Sequence, residues 1–278
     1  MIVDVSIHNG SIDWSKVKAA GVEGAIIRCG YGRDMTKQDD ANYKRNIEGA
    51  LAQGLRVGVY LYSYAKSDDS ARSEAQHTLR LVKPYKEKIT LPIYYDLEEN
   101  DCADRAKRNA EIFGDIIEKA GFWCGVYASS YWWKTHLKGL DRYTKWVADW
   151  GSNNGKPNKK PTFSNTDLWQ YTSNAHVNGI SGRVDCNELL NPNIGGYIGA
   201  AESKPEPTPA TDPKPTPQEP EKPSEPEYIL YKIKKGDTLT KIAKQYKTTV
   251  KAIKALNPDK IKNVNLIIAG DTIKIPKV

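Results

Sequence analysis

The chain reads as α/β: a modified, shortened (β/α)8-type barrel over residues 1–201, then a small α+β module of βααβ order over 228–278. Three observations predict this. Eight short apolar runs, most separated by helical patterns, precede residue 202. The composition then breaks into a proline-rich, acidic tract, 202–227, with no apolar periodicity. The segment beyond it runs strand, turn, helix, helix, strand.

The predicted strands are the β-branched and aromatic runs 2–7, 24–30, 56–64, 91–98, 123–129, 145–150, 167–172 and 184–189. Helical patterns occupy 14–20, 39–53, 67–82, 102–120 and 131–137. Gly21, Gly54 and Gly121 follow three of them, where a left-handed residue closes a helix. The later gaps are short and rich in Asn, Gly and Lys, so the last strands are expected without full helices between them. A doubly wound open sheet is the competing fold, but no Gly-x-Gly-x-x-Gly follows any strand. The tract 202–227 holds nine prolines and carries seven acids against three lysines. Such a segment is expected to be an extended spacer reaching up to about 80 Å.

The net charge of +7 is unevenly placed: 228–278 contains twelve lysines and three acids. That basicity implies attraction to a polyanion, either nucleic acid or an anionic cell wall. No aromatic stacking platform accompanies the lysines, so nucleic acid is not the expected partner. No apolar run approaches the ~18 residues of a membrane span. Met1 leads directly into Ile2-Val3-Asp4 without a basic, then apolar, leader, so either a soluble protein made in the cytoplasm or a mature form numbered from a new Met is expected. Cys29, Cys102, Cys124 and Cys186 form no C-x-x-C; Cys29, Cys124 and Cys186 lie in apolar runs and are expected as small buried hydrophobes. The four histidines, His8, His77, His136 and His176, lie apart, and neither Ser nor Cys has a credible triad. No nucleotide-cofactor motif or metal cluster is present, and no cofactor is expected.

The most informative stretch is 91–99, a short apolar strand ending in acid. Alternation sends Tyr94, Asp96 and Glu98 to one face and Tyr95, Leu97 and Glu99 to the other. Two carboxyls converging in a partly dry site cannot both ionise freely. A protonated carboxyl beside an ionised one is what general acid catalysis at a glycosidic bond requires. In a parallel barrel the chemistry sits at the C-terminal strand ends. There strand 1 brings Asp4, Ser6 and His8; strand 3 Tyr60, Tyr62 and Tyr64; strand 5 Tyr127; strand 6 Trp146, Asp149 and Trp150; strand 7 Trp169, Gln170 and Tyr171; and strand 8 Asp185. Acids inside an aromatic rim suit a sugar, whose apolar face stacks on rings. The same four carboxyls, Asp4, Asp96, Glu98 and Asp185, could instead form an all-oxygen cage for a divalent metal. A catalytically inactive glycan-binding barrel is the non-enzymatic alternative.

Asp4-Val5-Ser6, Ile12-Asp13-Trp14 and Gly24-Ala25-Ile26-Ile27-Arg28 resemble the opening of glycoside hydrolase family 25, the muramidases of phages, bacteria and fungi. Gly58-Val59-Tyr60-Leu61-Tyr62, Asp96-Leu97-Glu98, Gly125-Val126-Tyr127, Trp146-Val147-Ala148, Trp169-Gln170-Tyr171 and Val184-Asp185-Cys186-Asn187 continue the resemblance in order. Departures are mild: Tyr62 stands where Phe is usual and Trp150 where Tyr is common. The resemblance implies hydrolysis, with retention, of the β-1,4 bond between N-acetylmuramic acid and N-acetylglucosamine in peptidoglycan. It implies Glu98 as the acid and Asp96 as nucleophile or stabiliser of a substrate-assisted intermediate, with Asp4 and Asp185 in support. Glu98 is expected to hold the proton and Asp96 to be ionised.

After the spacer, Gly236-Asp237-Thr238-Leu239 and Ala269-Gly270-Asp271-Thr272 resemble one LysM module. This implies binding of N-acetylglucosamine-containing glycan in a groove between Gly236, Asp237, Thr238 and Leu239 and the loop around Asn265. A wall hydrolase without a leader is expected to be a phage endolysin, reaching the wall when a holin opens the membrane. A bacterial autolysin of the same chemistry is the alternative.

Overall fold

A computed structural model describes residues 1–197, 228–234, 237–246, 248–257, 260–261, 263–264 and 266–276. The spacer 202–227, Gly236 and Asn265 lie outside the described residues. The chain divides into two compact units, Met1–Glu202 and Ser203–Val278.

In the first unit eight strands close into a barrel in sequence order. The elements run β1 (Ile2–Val5), α1 (Trp14–Ala19), β2 (Gly24–Tyr31), α2 (Tyr43–Ala52), β3 (Arg56–Tyr62), α3 (Asp68–Val82) and β4 (Ile93–Asp96). They continue α4 (Ala106–Lys119), β5 (Cys124–Ser129), α5 (Ser130–Thr135), β6 (Thr144–Ala148), β7 (Leu168–Ala175) and β8 (Val184–Leu189). Local chemistry sets the helix starts. Asp13 accepts from the Lys16 amide at 3.2 Å ahead of α1, Ser67 and Ser70 form a reciprocal cap on α3, and Ser129 accepts from the Trp132 amide at 3.3 Å. Gly21, Gly54 and Gly121 do take positive φ.

The barrel departs from an all-parallel one at its last strand. β1 to β7 pair in parallel, whereas β8 is antiparallel to both β7 and β1. Only 176–183 connects β7 to β8. A parallel crossover needs about a dozen residues or more, so the chain can only turn back. This reversal puts the beginning of β8 at the end of the barrel where the other strands finish.

Alternation divides the core. Ile2, Ile26, Leu91, Tyr94, Tyr127, Trp146 and Leu168 fill the barrel, while a larger cluster between strands and helices takes Val3, Ile27, Tyr95, Leu97 and Trp169. Tyr95 stacks on Phe113 of α4 at 4.1 Å. Gly125 makes room for Tyr94, since a Cβ there would stand 2.4 Å from its ring. The four cysteines are buried and free.

The second unit pairs β9 (Tyr228–Lys232) antiparallel with β10 (Thr272–Pro276), and inserts α6 (Leu239–Gln245) and α7 (Val250–Leu256) between them. Its core is Ile233, Leu239, Ile242, Ala243, Ile253, Ile261, Ile273 and Ile275. Asn257 ends α7 and bridges to β10, its side chain donating to Ile253 O at 2.7 Å and accepting from the Lys274 amide at 2.6 Å. Among the described residues no helix is long and apolar enough to cross a membrane.

Candidate active site

The strand ends converge on one cleft of about 480 Å³, whose wall includes Asp4, Asp96, Glu98 and Asp185. Register explains the convergence. Tyr62, Asp96 and Tyr127 lie in one row across β3, β4 and β5, and Asp4 stands opposite Asp185 across β1 and β8. Asp185 is only the second residue of its strand; it reaches the cleft because β8 is antiparallel.

Asp4 is 6% exposed and pinned: its Oδ2 accepts from Asn187 at 2.8 Å and from Gln170 at 3.1 Å. Gln170 also donates to Asp185 at 3.3 Å, while its Oε1 accepts from the Tyr127 hydroxyl and the Trp150 indole, each at 2.9 Å. One amide thus joins two acids to two aromatic rings. Trp146 donates to Asn187 at 2.7 Å and holds that second amide in place.

The electrostatics follow from burial. Desolvation pushes Asp4 up to about 6, against lowering by its amide donors, and Asp185 up to about 8, helped by the charge of Asp4. Asp96 is 5% exposed, and its Oδ1 has no hydrogen-bond partner among the described residues. Burial therefore drives its pKa far above the carboxylate range, with the charges of Glu98 and Asp4 adding and Arg28 opposing. Glu98 lies exposed at the mouth. It is raised by desolvation first, lowered by a bond from Tyr62 and raised by the charge of Glu99. Burial thus acts against the expected ionised form of Asp96, the deeper of the two acids, and both carboxyls are pushed upward.

Tyr60, Tyr62, Tyr127, Trp150 and Gln170 line the cleft as expected, and so do Ser6 and His8, although β1 ends at Val5 and both sit at a short 3-10 turn. Trp169 and Tyr171 do not. They are 3% and 7% exposed on the outer face of β7, and the Trp169 indole donates to Asp149 O at 2.8 Å. Consecutive strand residues face opposite ways, so the two cannot share a wall with Gln170. Tyr64 stands just beyond the cleft wall, and Asp149 accepts from Ser130 and Thr162 to hold the loop after β6. Strand alternation sends Glu99 to the opposite face, yet it accepts from the Tyr62 hydroxyl at 2.7 Å. β4 has already ended at Asp96, so strand alternation no longer governs residue 99.

Arg28, Asn187 and Arg183, none of them an expected site residue, also belong to the cleft region. Arg28 lines the wall and pairs with Asp40 at 2.9 Å. Its signal was period two from Gly24 through Ile26. Asn187 had the same signal from Asp185. Arg183 also lines the wall, from the turn before β8, where no periodicity applies.

In the second unit the expected glycan residues divide. Leu239, the first residue of α6, is 1% exposed and packs within the isoleucine-rich core, so its side chain is unavailable to a ligand. Thr238 caps α6 through the Lys241 amide, and Asp237 accepts from the Tyr231 hydroxyl at 2.9 Å and the Lys234 amide at 2.8 Å. Both side chains hold the turn.

The profile of glycosyl hydrolases family 25 matches residues 3–180, and that of the LysM domain matches residues 231–276. The autolytic lysozyme of Clostridium acetobutylicum is 28% identical over 188 residues, 67% of this chain and 55% of that protein. The chain thus spans about half the length of that curated relative. The endolysin of Bacillus phage B103 is 60% identical over 45 residues, 16% of this chain and 17% of that one. Among solved structures, the modular autolysin LytC of Streptococcus pneumoniae superposes with a TM-score of 0.56 at 31% identity, covering 67% of this chain and 45% of that one.

Proposed function

Because this chain belongs to glycosyl hydrolase family 25, we propose that it is a muramidase, cutting the β-1,4 bond after N-acetylmuramic acid in peptidoglycan with retention. The observation that carries the reading is the convergence of Asp96 and Glu98 with the Asp4–Asp185 pair in one aromatic-lined cleft. Carboxyls gathered in one cleft titrate together, and the apparent pKa values belong to the cluster. The reactive arrangement places a proton on Glu98, which alone of the pair opens to solvent and can reach a leaving oxygen. Asp96 is then ionised below the anomeric carbon. It balances the charge developing there, through either a glycosyl-enzyme or an oxazolinium formed by the substrate's own N-acetyl group. Both routes retain configuration. With the leaving sugar gone, Glu98 takes a proton from water as the water oxygen bonds the anomeric carbon and the C–O bond to Asp96, or to the N-acetyl oxygen, breaks, which restores the acid. Arg28 opposes the rise of the Asp96 pKa and so favours its ionised form.

The amides of Gln170 and Asn187 point N–H donors at Asp4 and Asp185. Such donors suit an acid pair that shares a proton. The LysM module would hold the enzyme on N-acetylglucosamine-containing strands, and its lysines would add attraction to wall phosphate polymers. The 60% identity over 45 residues to a phage endolysin supports a phage origin, with access to the wall through a holin-opened membrane. A bacterial autolysin is the alternative.

Digestion of purified peptidoglycan, reduction and mass analysis test the reading. New reducing ends on muramic acid are expected. Ends on glucosamine mean a glucosaminidase, and free stem peptides an amidase. Glu98→Gln should lower turnover by about 10²–10⁴-fold.

A further inference from the structure

Two exposed tyrosines stand beside the cleft without a role in the chemistry above. Tyr31 ends β2 and Tyr64 follows β3, 36% and 48% exposed. Their rings meet edge to face at 6.3 Å, and the Tyr64 ring lies 5.0 Å from that of Tyr62 on the cleft wall. The three rings form one aromatic surface leading out of the cleft.

What lies beneath them is unusual. α3 carries two buried polar side chains one turn apart, Glu74 and His77, both 0% exposed. Glu74 accepts from the Tyr64 amide at 2.9 Å, from Ser63 Oγ at 2.8 Å and from the Tyr95 hydroxyl. His77 Nδ1 meets the carbonyl of Gly32, the residue after Tyr31, at 3.0 Å, and its Nε2 meets Asp39 at 2.8 Å. Gly32, at φ +61°, donates its N–H to Tyr62 O at 2.9 Å, so the segment behind Tyr31 is clamped to β3. Burying a carboxyl and an imidazole is costly unless each is fully paired. Here both pair with the backbone adjoining the two tyrosines. A rigid pedestal under exposed rings suits a surface that must meet a ligand without first ordering itself.

We propose that Tyr31 and Tyr64 form a sugar-stacking subsite outside the cleft, which takes a pyranose ring of the glycan strand remote from the bond being cut. The proposal rests on the muramidase reading. Its occupant is argued from continuity: a strand leaving the cleft past Tyr62 crosses Tyr64 and then Tyr31.

The test uses the full chain and two substrates, long glycan strands freed of stem peptides and the shortest fragment that the wild type cleaves. In a Tyr31→Ala/Tyr64→Ala variant the KM for long strands relative to the short fragment should rise about tenfold, with kcat on strands held. Tyr31→Phe/Tyr64→Phe should restore the wild-type ratio. An unchanged ratio in the alanine variant, or an equal loss on both substrates, overturns the subsite. Melting curves of the same samples check folding, and Tyr64→Ala alone repeats the test where the double variant melts early. Failure of the muramidase reading is distinct: the wild type itself would then release no new muramic acid reducing ends.

Discussion

The Tyr62 hydroxyl donates to Glu99 at 2.7 Å, and it is also the group whose hydrogen bond lowers the pKa of the neighbouring acid, Glu98. One phenol therefore stands between two consecutive carboxyls, and the charge of Glu99 raises Glu98 while occupying the donor that would lower it. Glu99→Gln should remove the charge while keeping an acceptor for the hydroxyl. Loss of that charge lowers the pKa of Glu98, so the alkaline limb of the kcat/KM profile should move to lower pH. A limb that stays in place, or moves upward, would show that Glu99 does not set the proton affinity of Glu98.

Gln170 ties Asp4 and Asp185 to Tyr127 and Trp150 through one amide. Gln170→Glu keeps the shape but replaces two N–H donors with acceptors facing carboxylates. Turnover of purified walls should fall about 100-fold, the cost of roughly 2.7 kcal/mol of misplaced charge. Activity within threefold of wild type would mean that the amide is only packing.

Burial raises Asp4 to about 6, and burial together with the charge of Asp4 raises Asp185 to about 8. Carboxyls whose folded pKa exceeds the unfolded value stabilise the fold while protonated, and that contribution fades as pH rises through the folded values. The melting temperature should therefore fall between about pH 5 and pH 8. Asp185→Asn should flatten the decline and gain about 3 °C at pH 8, near 1 kcal/mol for a domain of this size. Equal slopes in the two proteins would contradict the assignment.

Trp169 is in the outer core, not the cleft. Trp169→Phe should lower the melting temperature by about 3–6 °C through the lost Asp149 contact and lost volume. The KM for walls should not change; a rise in KM without destabilisation would return Trp169 to the substrate wall.

Excess EDTA should leave turnover of purified walls within twofold, since the proposed acid and its partner are both carboxyls acting directly on the glycosidic bond. Loss of activity restored by a divalent cation would favour the metal-cage alternative.

The eight barrel strands and five helices, Asp96 with Glu98, and the LysM strand order were legible from sequence, because alternation, helix periodicity and glycine caps are local patterns. That Tyr94 and Asp96 face inward while Tyr95 and Leu97 face outward needed only the pleat of a strand. The pleat also forbade placing Trp169 and Tyr171 beside Gln170. Other features depended on contacts between distant segments. β8 turned antiparallel because eight residues cannot make a crossover, and this brought Asp185 opposite Asp4. Residues beyond a strand end, such as Glu99 beside Tyr62, escape periodicity altogether. The electrostatics of the acid pair were likewise set by tertiary structure: sequence shows which carboxyls are neighbours, but the depth of Asp96 relative to Glu98, and hence the desolvation each bears, exists only once the barrel has closed around them.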